Sequence, residues 1–559
     1  MQSCKKINAL FSALLIGLLP AFFVACKSGA EKNKIPVLLS TVSPISADTA
    51  VTVPTSYDIE SPTDVDTYII LNNENTTING GGVSFENSVL TISKGGTYSV
   101  KGRLSNGRIV VDTKEPNARV MLYLNGVSVS FSDDAPIYFA DSVSDARLIL
   151  TEDTKNTVSD SIDSQRESES QAQDDFVPAA VFSKGDLTIG GKGSLFIEAK
   201  HGKGIFSSDD ICIESGSLNI ESSDDAVCGK NGLVVSGGSI SAVSGGSGLR
   251  TGDSDPGKGA LVVSGGSFKI ESRLDCVHSS SSIVVSGGSF DLTGDGGSTE
   301  KAGKKNGAGS EKALPELGAH IAAQKDTPID AEVSNAVYAA GALTVSGGDF
   351  AVNSRTDAFN CGGRLIVTGG SINIKTDRTA FFSSAAINIS GGSINTEYCL
   401  DGIEAKLANI SGGNLYINAR SCAFSPDTVV TQSGGIVVSL SAKSGANGRG
   451  IYTVTGGTVF AAGDLPTHKA TVVRNAELSS TAKAAANILL AVTDERGKSL
   501  FCLKLPRRCE DFWFSSPELV RGKSYNIYSG GINTGVQKNG IYQGSAYTPG
   551  TLRQTVTAR

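Results

Sequence analysis

The chain has 559 residues, of which 66 are Gly and 39% are apolar, and its formal charge is −7 with only four His. That balance lacks the basic excess nucleic-acid binding needs, and so few imidazoles leave little material for His-based catalysis. No G-x-S-x-G, H-E-x-x-H or CxxC occurs, nor a Gly-rich phosphate loop leading into a helix, so the corresponding hydrolase, zinc and nucleotide signatures are missing.

Lys5 and Lys6 precede an apolar run over residues 9–25 that is too short and wrongly flanked for a membrane span. It ends Phe23-Val24-Ala25-Cys26, which resembles a bacterial lipobox, although Phe23 stands where Leu is usual and ordinary signal-peptidase cleavage is the alternative. Residues 1–26 are therefore expected to be a lipoprotein signal peptide, with Cys26 lipidated. The protein is expected to be exported and anchored at the bacterial cell envelope or surface, touching the membrane only through that lipid. Losing Lys5 and Lys6 takes the charge from −7 to −9. Residues 27–64 are polar and Pro-dotted, as a flexible tether is.

Strand pieces follow without a clear period: TYII at Thr67, VLTI at Val89, RIVV at Arg108, RVMLYLNGVSVS at Arg119 and RLILTE at Arg147. Residues 159–175 are charged and Ser/Gln-rich, as a surface loop is. From Ala179 a phrase repeats: ICIESGSLNIES at Ile211, LVVSGGSISAVS at Leu233, LVVSGGSFKIES at Leu261 and IVVSGGSFDLTG at Ile283. It returns at Leu343, Leu365 and Ile387. The markers Ser217, Ser239, Ser267, Ser289, Asp349, Ser371, Ser393 and Asn414 are spaced 22, 28, 22, 60, 22, 22 and 21 residues apart. A fixed period in the 20s signals a solenoid, and apolar alternation on both sides of a Gly-Gly corner signals strands. A third short piece completes each unit: DAV at Asp225, DCV at Asp275, DAF at Asp357 and DGI at Asp401.

Three strands per 22 residues predict an all-β chain, a right-handed single-stranded parallel β-helix over 65–463. Loop insertions fall near 159–178 and 294–332. Roughly fifteen coils stacked at about 4.8 Å would extend about 70 Å. Three inward columns are expected, through Leu233, Ile240 and Leu249 and their equivalents. Residues 464–559 break the pattern and read as a small C-terminal β cap, which a solenoid end requires. There ANILLAVTD at Ala486 and KSLFCLKL at Lys498 suggest an antiparallel pair. Trp513 is expected to pack in the cap, with an exposed sugar platform as the alternative. The Cys residues read as buried thiols rather than a disulfide framework, and Cys502 with Cys509 is the pair a terminal hairpin would bring closest.

Two polar columns are candidates for chemistry. Asp225, Asp275, Asp357 and Asp401 recur at one place, and stacked carboxylates repel unless solvated, spaced or neutralised. Solvated turn residues account for them in one reading. In the other, Asp209, Asp210, Asp224 and Asp225 present oxygens to calcium, although the G-G-x-G-x-D calcium-repeat signature is not met. Arg273 and Arg355 each lie two residues before an Asp. They are candidates, with Asp275, Asp357 and Asp401, for a carbohydrate-binding groove, or else they form intramolecular ion pairs.

VLTISKGGTYSVKGRLSNGRIVVD at Val89, VMLYLNGVSVS at Val120, AAVFSKGDLTIGGKGSLFIEA at Ala179 and FSSPELVRGKSYNIYSGG at Phe514 carry a family likeness. They resemble bacterial carbohydrate-binding domain-containing proteins of the pectate-lyase-like right-handed β-helix class. The resemblance implies calcium on the helix and an acidic, uronic-acid polysaccharide as partner. Its small-Asp-Gly-Ile units match Asp224 and Asp401, and its KDDL unit matches SDDI at Ser208. Lys203 in GKGI stands where the family has Asp, and the insertion from Gly294 is a further departure. The expectation is a non-catalytic carbohydrate-binding surface lipoprotein with calcium and no catalytic residues. A polysaccharide lyase, using Arg273 or Arg355 with a neighbouring Asp, is the first alternative, and a structural adhesin is the second.

Overall fold

The computed structural model describes residues 65–160, 179–299, 334–425, 428–441, 451–462, 470–543 and 546–559. Residues 1–64, which include Cys26, and most of the two expected insertions lie outside them. The described residues belong to one unit, Asp58–Arg559. Their regular elements are all strands, gathered into sheets of 31, 13 and six.

Pairing in the two long sheets is mostly parallel and follows the repeat. Ser239–Ser244 lies between Ser217–Ser222 and Ser267–Ser272, with Leu218, Ile240 and Phe268 opposite one another. One strand earlier in the same unit, Leu233 lies between Ile211 and Leu261. The third short strand stacks separately in the 13-stranded sheet, with Leu249 between Val227 and Val277. All three expected columns are thus directly paired ladders. The third also contains Val337, which pairs with Val277 and Phe359. The extra 38 residues before it hide that member from a reading by period. Alternate side chains point to opposite faces of a strand, so Ser267–Ser272 alternates strictly between exposed and buried. The inward set merges into one core that runs from Ile69 to Trp513. Because successive strands lie about 4.8 Å apart, like rings in one column stack. Phe268, Phe290 and Phe350 have centroids 4.6 and 4.4 Å apart.

Each Gly of the corner has its own reason. Gly370 has φ +87°, a region costly for any residue with a Cβ. A Cβ on Gly369 would lie 2.2 Å from the Ser346 carbonyl oxygen one repeat earlier. The buried Ser closing the second strand makes the next corner: Ser222 Oγ donates to Asp224 O at 2.9 Å, and Ser272 Oγ to Leu274 O at 2.9 Å.

The less periodic strands at 96–150 already pair in parallel: Gly96–Leu104 with Ala118–Phe131, and the latter with Val143–Leu150. At the far end Phe512–Ser516 runs antiparallel to both Thr458–Ala462 and Ala476–Ser480. The expected hairpin forms between Leu489–Thr493 and Ser499–Lys504, inside the six-stranded antiparallel sheet. Trp513 is buried and its indole N–H donates to Glu477 Oε2 at 2.7 Å, so it packs rather than offering a platform. All eight described Cys are free thiols, including Cys502 and Cys509. Seven are buried, and burial pushes the Cys276 thiol up to about 12.

Candidate functional site

The Asp column has a uniform structural task. Asp225 Oδ1 accepts the Ser247 N–H at 2.9 Å, Asp275 Oδ1 the Asn335 N–H at 2.5 Å, and Asp357 Oδ1 the Thr379 N–H at 3.0 Å. Asp401 Oδ1 accepts the Cys422 N–H at 2.9 Å. In each case one oxygen satisfies the backbone donor at the same place in the next repeat, where an unpaired buried N–H would cost free energy. Ser247, Asn335, Thr379 and Cys422 alternate with the Asp residues at this place, so no two carboxylates of the column stand in adjacent repeats, where they would repel.

In Asp275 and Asp357 the second oxygen faces outward, to the residue three positions on. Asp275 Oδ2 lies 2.7 Å from His278 Nδ1, and Asp357 Oδ2 accepts from Asn360 Nδ2 at 3.0 Å. These outward residues form a row across the 13-stranded sheet, with Arg250 beside His278, His278 beside Tyr338, and Tyr338 beside Asn360. The imidazole and phenol rings stack at 5.1 Å between centroids. The row lines a groove of about 510 Å³ that also takes in Asp275, Asn335, Asp357 and Arg378. Asn335 Nδ2 donates to Asp275 Oδ1 at 3.1 Å, so the carboxylate under His278 is held from several sides. The groove combines two guanidinium groups, stacked rings and amides, a set suited to an anionic, hydroxyl-rich ligand.

Of the residues expected to bind carbohydrate, Asp275 and Asp357 line this groove. Arg273 and Arg355 are not among its lining residues; Arg355 Nη1 lies 3.5 Å from Asp295 Oδ2 and Arg273 has a partner of its own. Asp401 makes its ladder bond outside the groove. The arginines that do line it, Arg250 and Arg378, and the ring pair His278 and Tyr338, escaped a reading by repetition. The outward row varies in residue type from coil to coil. The signal that finds it is position, three residues after each successive place in the column from Ser247 to Asp357, whether that place holds Asp (Asp275, Asp357) or not (Ser247, Asn335).

The four expected calcium ligands occupy two different environments. Asp224 and Asp225 flank the Lys203 ammonium at 2.5 and 2.6 Å, and Asp225 is only 1% exposed. Burial alone would depress the Lys203 ammonium, but the Asp225 and Asp224 carboxylates outweigh it and hold its pKa above the ordinary value. A cation is already supplied there by the protein. Asp209 and Asp210 instead gather with Asp186, which the sequence reading did not single out, with one ligand oxygen of each inside a 4.8 Å span. Burial, then the Asp186 and Asp209 charges, push the Asp210 carboxyl up to about 6. Asp209 also accepts from Asn231 Nδ2. Hard carboxylate oxygens converging in this way suit calcium, so the donor set fits the ion at Asp186, Asp209 and Asp210 and not at Asp224 and Asp225.

The profile of the carbohydrate-binding domain-containing protein family matches residues 86–380 and 327–485. A carbohydrate-binding domain-containing protein of Acetivibrio thermocellus is 31% identical over 160 residues, 28% of this chain. The chain spans about half, 54%, of that relative's length. A solved structure described as the polysaccharide lyase-like protein from C. thermocellum, gadolinium derivative, is 26% identical, with a TM-score of 0.39, covering 42% of this chain and 92% of that one.

Proposed function

The chain belongs to the carbohydrate-binding domain-containing protein family, and from that premise we propose that it binds an acidic, uronic-acid polysaccharide in the groove between Arg250 and Arg378. The repeats are read as coils of a right-handed parallel β-helix, so that a polymer lying across successive coils meets one outward side chain per coil. The observation that carries the proposal is the row Arg250, His278, Tyr338 and Asn360, which lines one groove with Arg378. Aromatic faces pack on sugar rings, and guanidinium groups pair with carboxylates. Calcium belongs to this reading at Asp186, Asp209 and Asp210, where it would offset the repulsion among three carboxylates. Cys26 carries the lipid that holds the exported protein at the cell envelope, and replacing Cys26 by Ala is expected to release the protein from the membrane fraction.

The test is binding of the full chain to an array of acidic and neutral glycans, with and without EDTA. Retention on uronate polymers supports the reading. No binding to any acidic polymer in either condition rejects it, and binding to cells but not to free polysaccharide supports an adhesin instead.

A further inference from the structure

The groove holds more than recognition requires. His278 Nδ1 lies 2.7 Å from Asp275 Oδ2, and Asp275 is itself 6% exposed and fixed through Oδ1 by the N–H and Nδ2 of Asn335. With the ring proton on Nδ1, donated to the carboxylate, Nε2 is the basic nitrogen, and it has no hydrogen-bond partner among the described residues. The side chain is 20% exposed, so this nitrogen is open to a ligand in the groove. The Tyr338 ring stacks on this imidazole, so the phenol stands in the next strand of the same wall. Arg250 stands in the strand on the other side. Ser247 also lines the groove, but its hydroxyl is buried, which removes it as a nucleophile. What is assembled is a base held by a carboxylate, a hydroxyl acid and a fixed positive charge, with no nucleophile.

We infer that this groove cleaves a 4-linked uronate polysaccharide by β-elimination, with His278 as base and Tyr338 as acid. The inference rests on the binding reading above. The linkage follows from the chemistry, because the departing oxygen must be β to the carbon made acidic by the carboxylate. Arg250 pairs with that carboxylate and stabilises the charge that develops as C5 loses its proton. His278 Nε2 takes the C5 proton, the electron pair forms the C4=C5 bond, and the C4–O4 bond breaks. O4 leaves with the Tyr338 hydroxyl proton, and solvent exchange returns His278 and Tyr338 to their starting states. No water is added and nothing is oxidised. Asp275 does not touch the sugar; it is a positioning residue that keeps the proton on Nδ1. Arg378 belongs to the turn three to four strands further along, about 15–19 Å at the spacing of paired strands. It therefore binds a uronate remote from the reacting one.

The experiment uses the full chain with polygalacturonate and, separately, alginate. It follows the ultraviolet absorbance of the conjugated unsaturated product and measures polymer binding in parallel. The wild type is expected to form that product. His278→Gln is expected to lower kcat at saturating polymer by about 100-fold or more while the polymer still binds, so that the loss of turnover exceeds any loss of affinity. Asp275→Asn keeps the Oδ1 acceptor but forces the ring proton onto Nε2, so kcat falls and KM holds. Arg378→Ala raises KM about tenfold with little change in kcat. Tyr338→Phe keeps the ring stack, and so tests the acid without disturbing the wall. A polymer that binds without yielding product overturns the lyase inference alone; absence of binding overturns it together with the binding reading. Undiminished product formation by His278→Gln overturns the assignment of the base.

Discussion

The Lys203 ammonium lies 2.5 Å from Asp224 and 2.6 Å from Asp225, and only the second carboxylate is fully buried. Removing one partner of such a pair leaves a charge that cannot be solvated. Lys203→Met is accordingly expected to cost about 3 kcal/mol in urea denaturation, and adding Asp225→Asn to recover part of it. A loss below about 1 kcal/mol would show that the ion pair behaves as an exposed one. The other acidic cluster behaves in the opposite sense. Asp210 binds its proton up to about pH 6 in the folded protein, against an ordinary value of 3.8. Between those values the folded state holds more protons than the unfolded chain, so its contribution to stability falls as pH rises through the window. In EDTA, Asp210→Asn is expected to melt higher than wild type above about pH 6 and to lose that advantage below about pH 4. An advantage that grew toward acid pH would contradict the assignment. The sequence made the acidic residues conspicuous but not their partners. Lys203 stands one coil from Asp225 and Asp186 one coil from Asp210, and the choice between an ammonium and a metal depends on side-chain reach across the coils.

At the scale of the element, the repeat is held by the Gly-Gly corner and by what the corner allows the next coil to do. Gly370 has φ +87°, and a Cβ there would meet the Gly348 carbonyl oxygen at 2.8 Å. Gly370→Ala is therefore expected to lower stability by about 1–3 kcal/mol, read as a shift in the thermal midpoint with the far-ultraviolet spectrum retained. No change would mean that the corner relaxes locally. These corners and the three apolar columns were legible because the same physical demand recurs in every coil. Leu233, Ile240 and Leu249 each sit in a ladder whose members face the core and are apolar. The outward row was not legible for the complementary reason. Arg250, His278, Tyr338 and Asn360 meet no common packing demand, so nothing in the sequence repeats there. Scarcity of His also argued against the position that matters, since one imidazole held by Asp275 suffices for a base.

At the scale of the molecule, the ladders let many small units bury one core, and they also aim one side chain per coil at the same face. Phe512–Ser516 pairs with both Thr458–Ala462 and Ala476–Ser480, covering strand edges that would otherwise offer unpaired backbone groups. The Asp column links the two roles. Its Oδ1 atoms bond one coil to the next, while in Asp275 and Asp357 the Oδ2 atoms orient groove residues. A polymer site built this way should depend on its outward row and little on the scaffold. The direct measurement is titration calorimetry of the full chain with polygalacturonate, comparing wild type with the Tyr338→Ala, Arg378→Ala double variant. Aromatic and Arg side chains dominate such interfaces, so the account predicts affinity at least about tenfold weaker at an unchanged thermal midpoint. Equal affinity in the folded double variant would place the polysaccharide elsewhere and contradict the account.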